Sequence, residues 1–248
     1  MSFWTTILLF GLIVVAVHFL EGITGFGSTV LSMPLVSMLV GIHVAKPVLT
    51  LYTVITCGYV LIKAYKDIDW KQYNKMMLLL LMGLPIGILI YNVLPKSGLL
   101  IFLGVFMVIV SIRGILISFG IVTNAMQIKD APALFLVFCG GIVHGAFASG
   151  GPLIIVYATE KLKNKSSFRA TLCLIWVTLN VILLTQMYLA NQITTEVVNT
   201  SLYGLIFLAV GTVLGVWAHN KIHNDVFTKV TYSALFIMGV ITLITNIV

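Results

Sequence analysis

The chain has 248 residues, of which 60% are apolar and only 8% charged, with a formal net charge of +7 and a mean hydropathy of +1.14. Soluble domains carry roughly 25% charged residues, so this composition excludes a water-covered globule and points to an all-α polytopic membrane protein. The basic residues fall in short patches between apolar runs, which is an orientation signal for the cytoplasmic side and excludes a nucleic-acid partner.

The predicted segments, in chain order, are A (4–20), B (26–42), C (46–65), D (75–94) and E (98–119). After 123–130 the series restarts as A′ (131–147), B′ (150–160), C′ (169–190), D′ (199–218) and E′ (228–247). A helical span needs about 20 apolar residues. C, D, E and their primed counterparts meet that length, whereas A, B, A′ and B′ are short. Segment A has no Lys or Arg before it and no small-residue cleavage pattern after it, so it is read as part of the fold and not as a signal peptide. The whole chain, 1–248, is one membrane domain. Cys57, Cys139 and Cys173 sit in apolar stretches without metal-ligand spacing and are expected to be small buried residues; no metal and no cofactor is implied.

The restart is a repeat, with repeat 1 at 1–122 and repeat 2 at 130–248. An offset of 123 aligns Gly22 with Gly145, Gly27 with Gly150, Lys46 with Arg169 and Val54 with Val177. Beyond the C–D loop an offset of 128 aligns Gly83-x-x-x-Gly87 with Gly211-x-x-x-Gly215. Equivalent loops differ in charge. The C–D loop holds Lys63, Lys66, Lys71 and Lys75, whereas C′–D′ has no Lys or Arg. The B′–C′ loop holds Lys161, Lys163, Lys165 and Arg169, whereas B–C has only Lys46. The D′–E′ loop carries Lys221 and Lys229 against Lys96 alone in D–E. Basic loops face the cytoplasm, which puts equivalent loops on opposite faces. The fold expected is therefore two inverted-topology repeats, each a short broken-helix pair followed by three transmembrane helices, an architecture of transporters. Loops 63–75 and 161–169 are expected in the cytoplasm and the C-terminus outside. Inversion leaves A and B either as a hairpin from one face or as two short crossings.

Two junctions interrupt the apolar runs. The first reads Glu21-Gly22-Ile23-Thr24-Gly25-Phe26-Gly27-Ser28-Thr29 and the second His144-Gly145-Ala146-Phe147-Ala148-Ser149-Gly150-Gly151-Pro152. Glycine and hydroxyl residues predict a chain break at membrane depth, tolerated where it is buried in protein or lines a cavity. Pro152 suits the first turn of a new helix. Each junction would present free N–H groups and a positive helix end to an anion; the alternative is that these glycines only let helices pack closely. The candidate substrate-binding residues are Thr24, Gly25, Phe26, Gly27 and Ser28 from the first junction, and Ser149, Gly150, Gly151 and Pro152 from the second. Gly27 and Gly150 are expected to let the anion approach the backbone. Arg169 and Lys46 are added as cations, although an interfacial snorkelling anchor is the favoured reading of Lys46. Asn180 either lines the cavity or ties two helices together. Glu21 and His144, equivalent in the repeat, are the candidates for proton coupling, or else interfacial residues, depending on their depth. The G-x-x-x-G pairs are read as packing sites. No catalytic constellation emerges, so an enzyme is not expected.

The motifs Gly22-x-Thr24-Gly25-Phe26-Gly27-Ser28 and Gly145-x-Phe147-x-Ser149-Gly150-Gly151-Pro152, with Phe168-Arg169-Ala170-Thr171 leading into a helix that holds Asn180, resemble the sulfite exporter TauE/SafE family, also called the toluene-sulfonate uptake permeases. The resemblance covers essentially the whole chain. It implies a plasma-membrane secondary transporter of sulfite, an organosulfonate or a related sulfur-containing or carboxylate anion, working by alternating access. Ala148 stands where the other half has Gly25, a departure from strict symmetry. The alternatives are an anion channel with the same site and, less favoured, an intramembrane enzyme. The partners expected are the small anion and the lipid bilayer; oligomeric state is left open.

Overall fold

The predicted apolar runs become helices whose ends are set by identifiable caps. The computed structural model describes residues 3–121, 130–162 and 164–219, together with 232, 233, 236, 237, 239–241, 243 and 244. Among them are nine α-helices: α1 (Phe3–Thr24), α2 (Ser28–Val40), α3 (Ile42–Ala64), α4 (Trp70–Val93), α5 (Lys96–Ser118), α6 (Asp130–Phe147), α7 (Gly151–Lys161), α8 (Lys165–Leu189) and α9 (Thr195–Ala218). Most of the link between the repeats, Lys163, Lys221, Lys229 and much of segment E′ lie outside the described residues.

Side-chain caps open three of the long helices, α4, α8 and α9. The Asp69 carboxylate accepts the Gln72 N–H at 3.0 Å, the Asn164 amide oxygen accepts the Ser166 and Ser167 N–H groups, and the Thr194 hydroxyl accepts the Val197 N–H. Each satisfies donors that the first helical turn leaves free. The sequence reading ended segment A near residue 20, but α1 runs on through Glu21 to Thr24. The charge that argued for a stop is met one turn back, where His18 Nδ1 lies 2.9 Å from Glu21 Oε2. Gly25, with φ +79°, then ends the helix, its N–H donating to the Glu21 carbonyl at 2.6 Å. In the second half Ala148 does the same, with φ +53° and a 2.6 Å bond from its N–H to the His144 carbonyl. A residue with a Cβ is strained there by about 1–2 kcal/mol.

Among the described residues five helices, α1, α3, α4, α8 and α9, are long and apolar enough to cross a bilayer. With 13 and 11 residues, α2 and α7 rise no more than about 20 Å, short of a hydrocarbon core of about 30 Å. Exposure is inverted relative to a water-soluble protein. Leu78 and Leu89 of α4 and Ile206 and Trp217 of α9 are exposed, whereas His18, Glu21, Lys46, Thr53, Thr56, Arg169 and Asn180 are buried. The chain is a multi-pass membrane protein with a polar interior.

That interior is assembled by crossed pairing of the halves: α1 packs on α9, α4 on α6, and α3 on α8. The G-x-x-x-G pairs make the first two contacts. A Cβ added to Gly211 would strike the Val15 carbonyl oxygen and one on Gly215 the Phe19 carbonyl oxygen; one on Gly83 would strike the Phe138 carbonyl oxygen and one on Gly87 that of Ile142. Gly22 would bring a Cβ within 2.9 Å of Gly215 Cα, and Gly145 within 3.0 Å of Gly87 Cα. The two sets correspond residue by residue under the 123 and 128 offsets. Backbone contact of this kind is what small residues provide between membrane helices. Gly83→Val or Gly211→Val is therefore expected to cost about 1–3 kcal/mol or more through overpacking. Gly58→Ala, where a Cβ meets nothing within 4 Å, should be neutral or gain up to about 1 kcal/mol. Thermal melting of the purified variants in detergent checks both signs.

Candidate functional site

Both chain breaks open onto the same place. A cavity of ≈ 20 Å³ is lined by Glu21 at the end of α1, by Gly27, Thr29 and Val30 at the start of α2, and by Thr53 of α3. His144 of α6, Ala148 and Ser149 of the second junction, Gly151 of α7, and Trp176 and Asn180 of α8 complete it. One water needs roughly 10–15 Å³ on this measure, so the cavity holds a water or two; a sulfur oxyanion enters only if its walls part.

The start of α2 is the most open wall. Gly27 caps the helix with φ +99°, a value that disfavours any side chain, and a Cβ there would meet nothing within 4 Å. The first intrahelical bond of this turn runs from the Leu31 N–H to the Gly27 carbonyl at 3.1 Å, so the amides of Ser28, Thr29 and Val30 precede the ladder. The hydroxyls of Ser28 and Thr29 both contact Thr53 Oγ1, at 3.4 and 3.0 Å. At the start of α7, Pro152 lies in the first turn and Gly151 reaches the cavity. Gly150 is backed instead against the Gly140 carbonyl and His144 Cβ. Its lack of a side chain serves packing, and the expectation that it mirrors Gly27 as an open approach is corrected on that ground.

Asn180 does both things that the sequence left open. Its Oδ1 lies 3.0 Å from His144 Nε2, tying α8 to α6, and its residue lines the cavity. Its Nδ2 and His144 Nδ1 are buried with no hydrogen-bond partner among the described residues. Trp176 joins the two junctions: its indole N–H donates to the Gly25 carbonyl at 2.8 Å, and its ring stacks on His144 with centroids 5.6 Å apart. Glu21 and His144 are 2% and 1% exposed, so both are enclosed by protein.

The cations stand elsewhere. Lys46 is 2% exposed; its Nζ donates to the Gly145 carbonyl at 3.0 Å and sits 3.5 Å from the Tyr91 ring centre. The snorkelling anchor is thereby corrected: Lys46 is held inside because a helix end and an aromatic face replace its water. Arg169 Nη2 donates to the Gly22 carbonyl, and His219 Nδ1 meets the carbonyl of Ile23. Equivalent cations thus hold equivalent carbonyls, each in the last turn of the other half's first helix. A cation at a helix C-terminus offsets its negative dipole end. Covering the two negative ends leaves the helix starts as the backbone's contribution to the field in the cavity.

Of the candidate residues, the cavity brings together Gly27, Ser149, Gly151, Asn180, Glu21 and His144. Ser28 stands just behind, through Thr53. Thr24 and Ser149 spend their hydroxyls on nearby carbonyls, and Phe26 packs edge-on against Phe168. Gly25, Gly150, Pro152, Lys46 and Arg169 support the walls. Sequence reasoning missed Thr29, Val30, Thr53 and Trp176 as lining residues; Thr53 and Trp176 are 123 apart, the offset of the repeat. It also missed His18, a neighbour of Glu21 one turn away. Cys57 and Cys173 are buried as expected, but Cys139 is only half-buried.

A family model described as sulfite exporter TauE/SafE matches residues 9–242. No curated protein and no solved structure matches the chain. Lys46→Met and Arg169→Met are each expected to destabilise the protein by about 1.5–3 kcal/mol, the range of hydrogen bonds from charged donors. Arg169→Lys should recover part of the loss; melting temperatures of the purified variants measure it.

Proposed function

The chain belongs to the sulfite exporter TauE/SafE family, a family of membrane transporters, and on that basis we propose that it is a secondary transporter of a small sulfur-containing or carboxylate anion. Sulfite and organosulfonates are the leading candidates. The observation that carries this reading is that two helix starts, distant in sequence, line one cavity together with the buried Asn180 Nδ2, which has no hydrogen-bond partner among the described residues. An anion that leaves water needs its hydration replaced, and backbone N–H groups with a neutral amide do this without adding a buried charge. The donors assigned to the substrate are the first amides of α2, the start of α7 and Asn180 Nδ2. Glu21 and His144 remain the coupling candidates.

The halves 1–122 and 130–248 are proposed to be inverted repeats that rock to expose the site alternately. Support comes from the paired contacts of α1 with α9 and of α4 with α6, from the exchanged caps of Lys46 and Arg169, and from the charge asymmetry of equivalent loops. In this arrangement α2 and α7 are the returning arms of hairpins. The small volume of the cavity favours a carrier over an anion channel. The plasma membrane is the proposed location, with loops 63–75 and 161–169 in the cytoplasm and the C-terminus outside.

Two measurements test these proposals. Cysteines placed at Lys71 and Ser166, both exposed, should be labelled from the cytoplasmic side and one at Gln192 from the outside; labelling of positions 71 and 166 from opposite faces ends the inverted-repeat reading. Purified protein should be stabilised by sulfite or sulfoacetate in a thermal-shift titration, since a ligand of the folded state raises its melting temperature. Asn180→Leu should weaken that binding by about tenfold or more, as loss of a buried donor to a charged partner costs about 1.5–3 kcal/mol. Unchanged affinity in Asn180→Leu removes the amide from the site.

A further inference from the structure

Sharing the cavity with these anion donors is a carboxylate. Glu21 lines it, and among the described residues its ion-pair partner is a histidine and no lysine or arginine. His18 is fully buried. Its Nδ1 lies 2.9 Å from Glu21 Oε2 and 3.1 Å from Thr56 Oγ1, while its Nε2 is buried without a partner among the described residues. Resting on the anion-site reading above, we infer that the His18–Glu21 pair is a proton-binding site on the cavity wall, and that the anion and one proton bind together.

With Nδ1–H donated to the carboxylate and Nε2 bare, the pair carries one negative charge. A proton added at Nε2 makes an imidazolium–carboxylate pair of net charge zero, and the bond to Glu21 is kept. Two negative groups confined to one small site do not both persist, so an anion settling against Asn180 and the helix starts favours the protonated pair. The proton belongs to the pair as a unit. The other ionisable groups around it do not take over this task. On α3, Tyr52 meets the His18 ring edge-on and Cys57 Sγ lies 3.9 Å from Glu21 Oε1; both are neutral acids that cannot cancel a negative charge. From α8 and beyond α9, Arg169 and His219 are engaged by the carbonyls of Gly22 and Ile23. Across the cavity on α6, His144 is tied to Asn180 and stacked on Trp176. In the second half the position 123 after His18 is Gly141, so the pair has no counterpart at the equivalent position.

Calorimetric titration of the purified full chain with sulfite and with sulfoacetate, in buffers of different ionisation heat, counts protons taken up per anion bound. Wild type should take up about one proton more per anion than Glu21→Gln, because the probe's own proton exchange is common to both and cancels. As pH rises, wild-type affinity should fall by up to about tenfold per pH unit, whereas that of Glu21→Gln should not follow this slope. If Glu21→Gln does not purify folded, His18→Gln supplies the baseline. His144→Gln should bind more weakly yet keep the extra proton. Equal proton counts in wild type and the Glu21 variant overturn the inference and leave the anion site standing. Loss of the extra proton in His144→Gln overturns it too, by moving the proton to the second half. If neither probe binds wild type, the anion-site reading falls and this inference falls with it.

Discussion

The architecture depends on one constraint: two helices end inside a body that water does not reach, and their last carbonyls must find donors there. In a membrane an unsatisfied backbone group is costly. The chain answers by reaching across itself. Arg169 and His219 take the carbonyls of Gly22 and Ile23, and Lys46 takes that of Gly145. Because the donors to the carbonyls of Gly22 and Gly145 are cations, they also cover the negative end of each helix dipole. What the backbone leaves uncovered at the junctions is the pair of helix starts, and they lie at the cavity beside the Glu21 carboxylate. Arg169 and Lys46, which resemble anion ligands in the sequence, are thus spent on backbone carbonyls.

The backbone and the side chains divide the work. Positions related by the 123 offset share geometry: Gly25 and Ala148 both take a positive φ and donate to the carbonyl four residues back. At those matched places the side chains differ. Glu21 corresponds to His144, Thr53 to Trp176 and Cys57 to Asn180. The repeated backbone supplies two helix starts facing one volume, while the unmatched side chains give one wall an acid and hydroxyls and the other an imidazole, an indole and an amide.

Much of this was legible in the sequence because the governing signals are local. Hydropathy marked the helices to within a few residues, and glycine with Pro152 marked the breaks. The G-x-x-x-G pairs were read as packing sites and they are. The misreadings share a cause: each concerned a polar residue whose partner is remote or on the same helix face. Helix α1 continues past Leu20 because His18 answers Glu21, and Lys46 goes inside because Gly145 and Tyr91 receive it. Gly150 and Gly27 read alike, and only the position of the Gly140 carbonyl separates them. Thr53 and Trp176 belong to apolar spans whose inward face hydropathy does not reveal.

The crossing of the caps also governs how the chain is made. Synthesis runs from the N-terminus, and domains ordinarily fold in that order. Here the carbonyls of Gly22 and Ile23 wait for Arg169 and His219, which emerge roughly 150 and 200 residues later. Until then α1 has neither its cap nor α9, the helix it packs against. The first half therefore leaves the ribosome as an unfinished assembly. Its final burial is a late event that the arrival of α8 and α9 brings about.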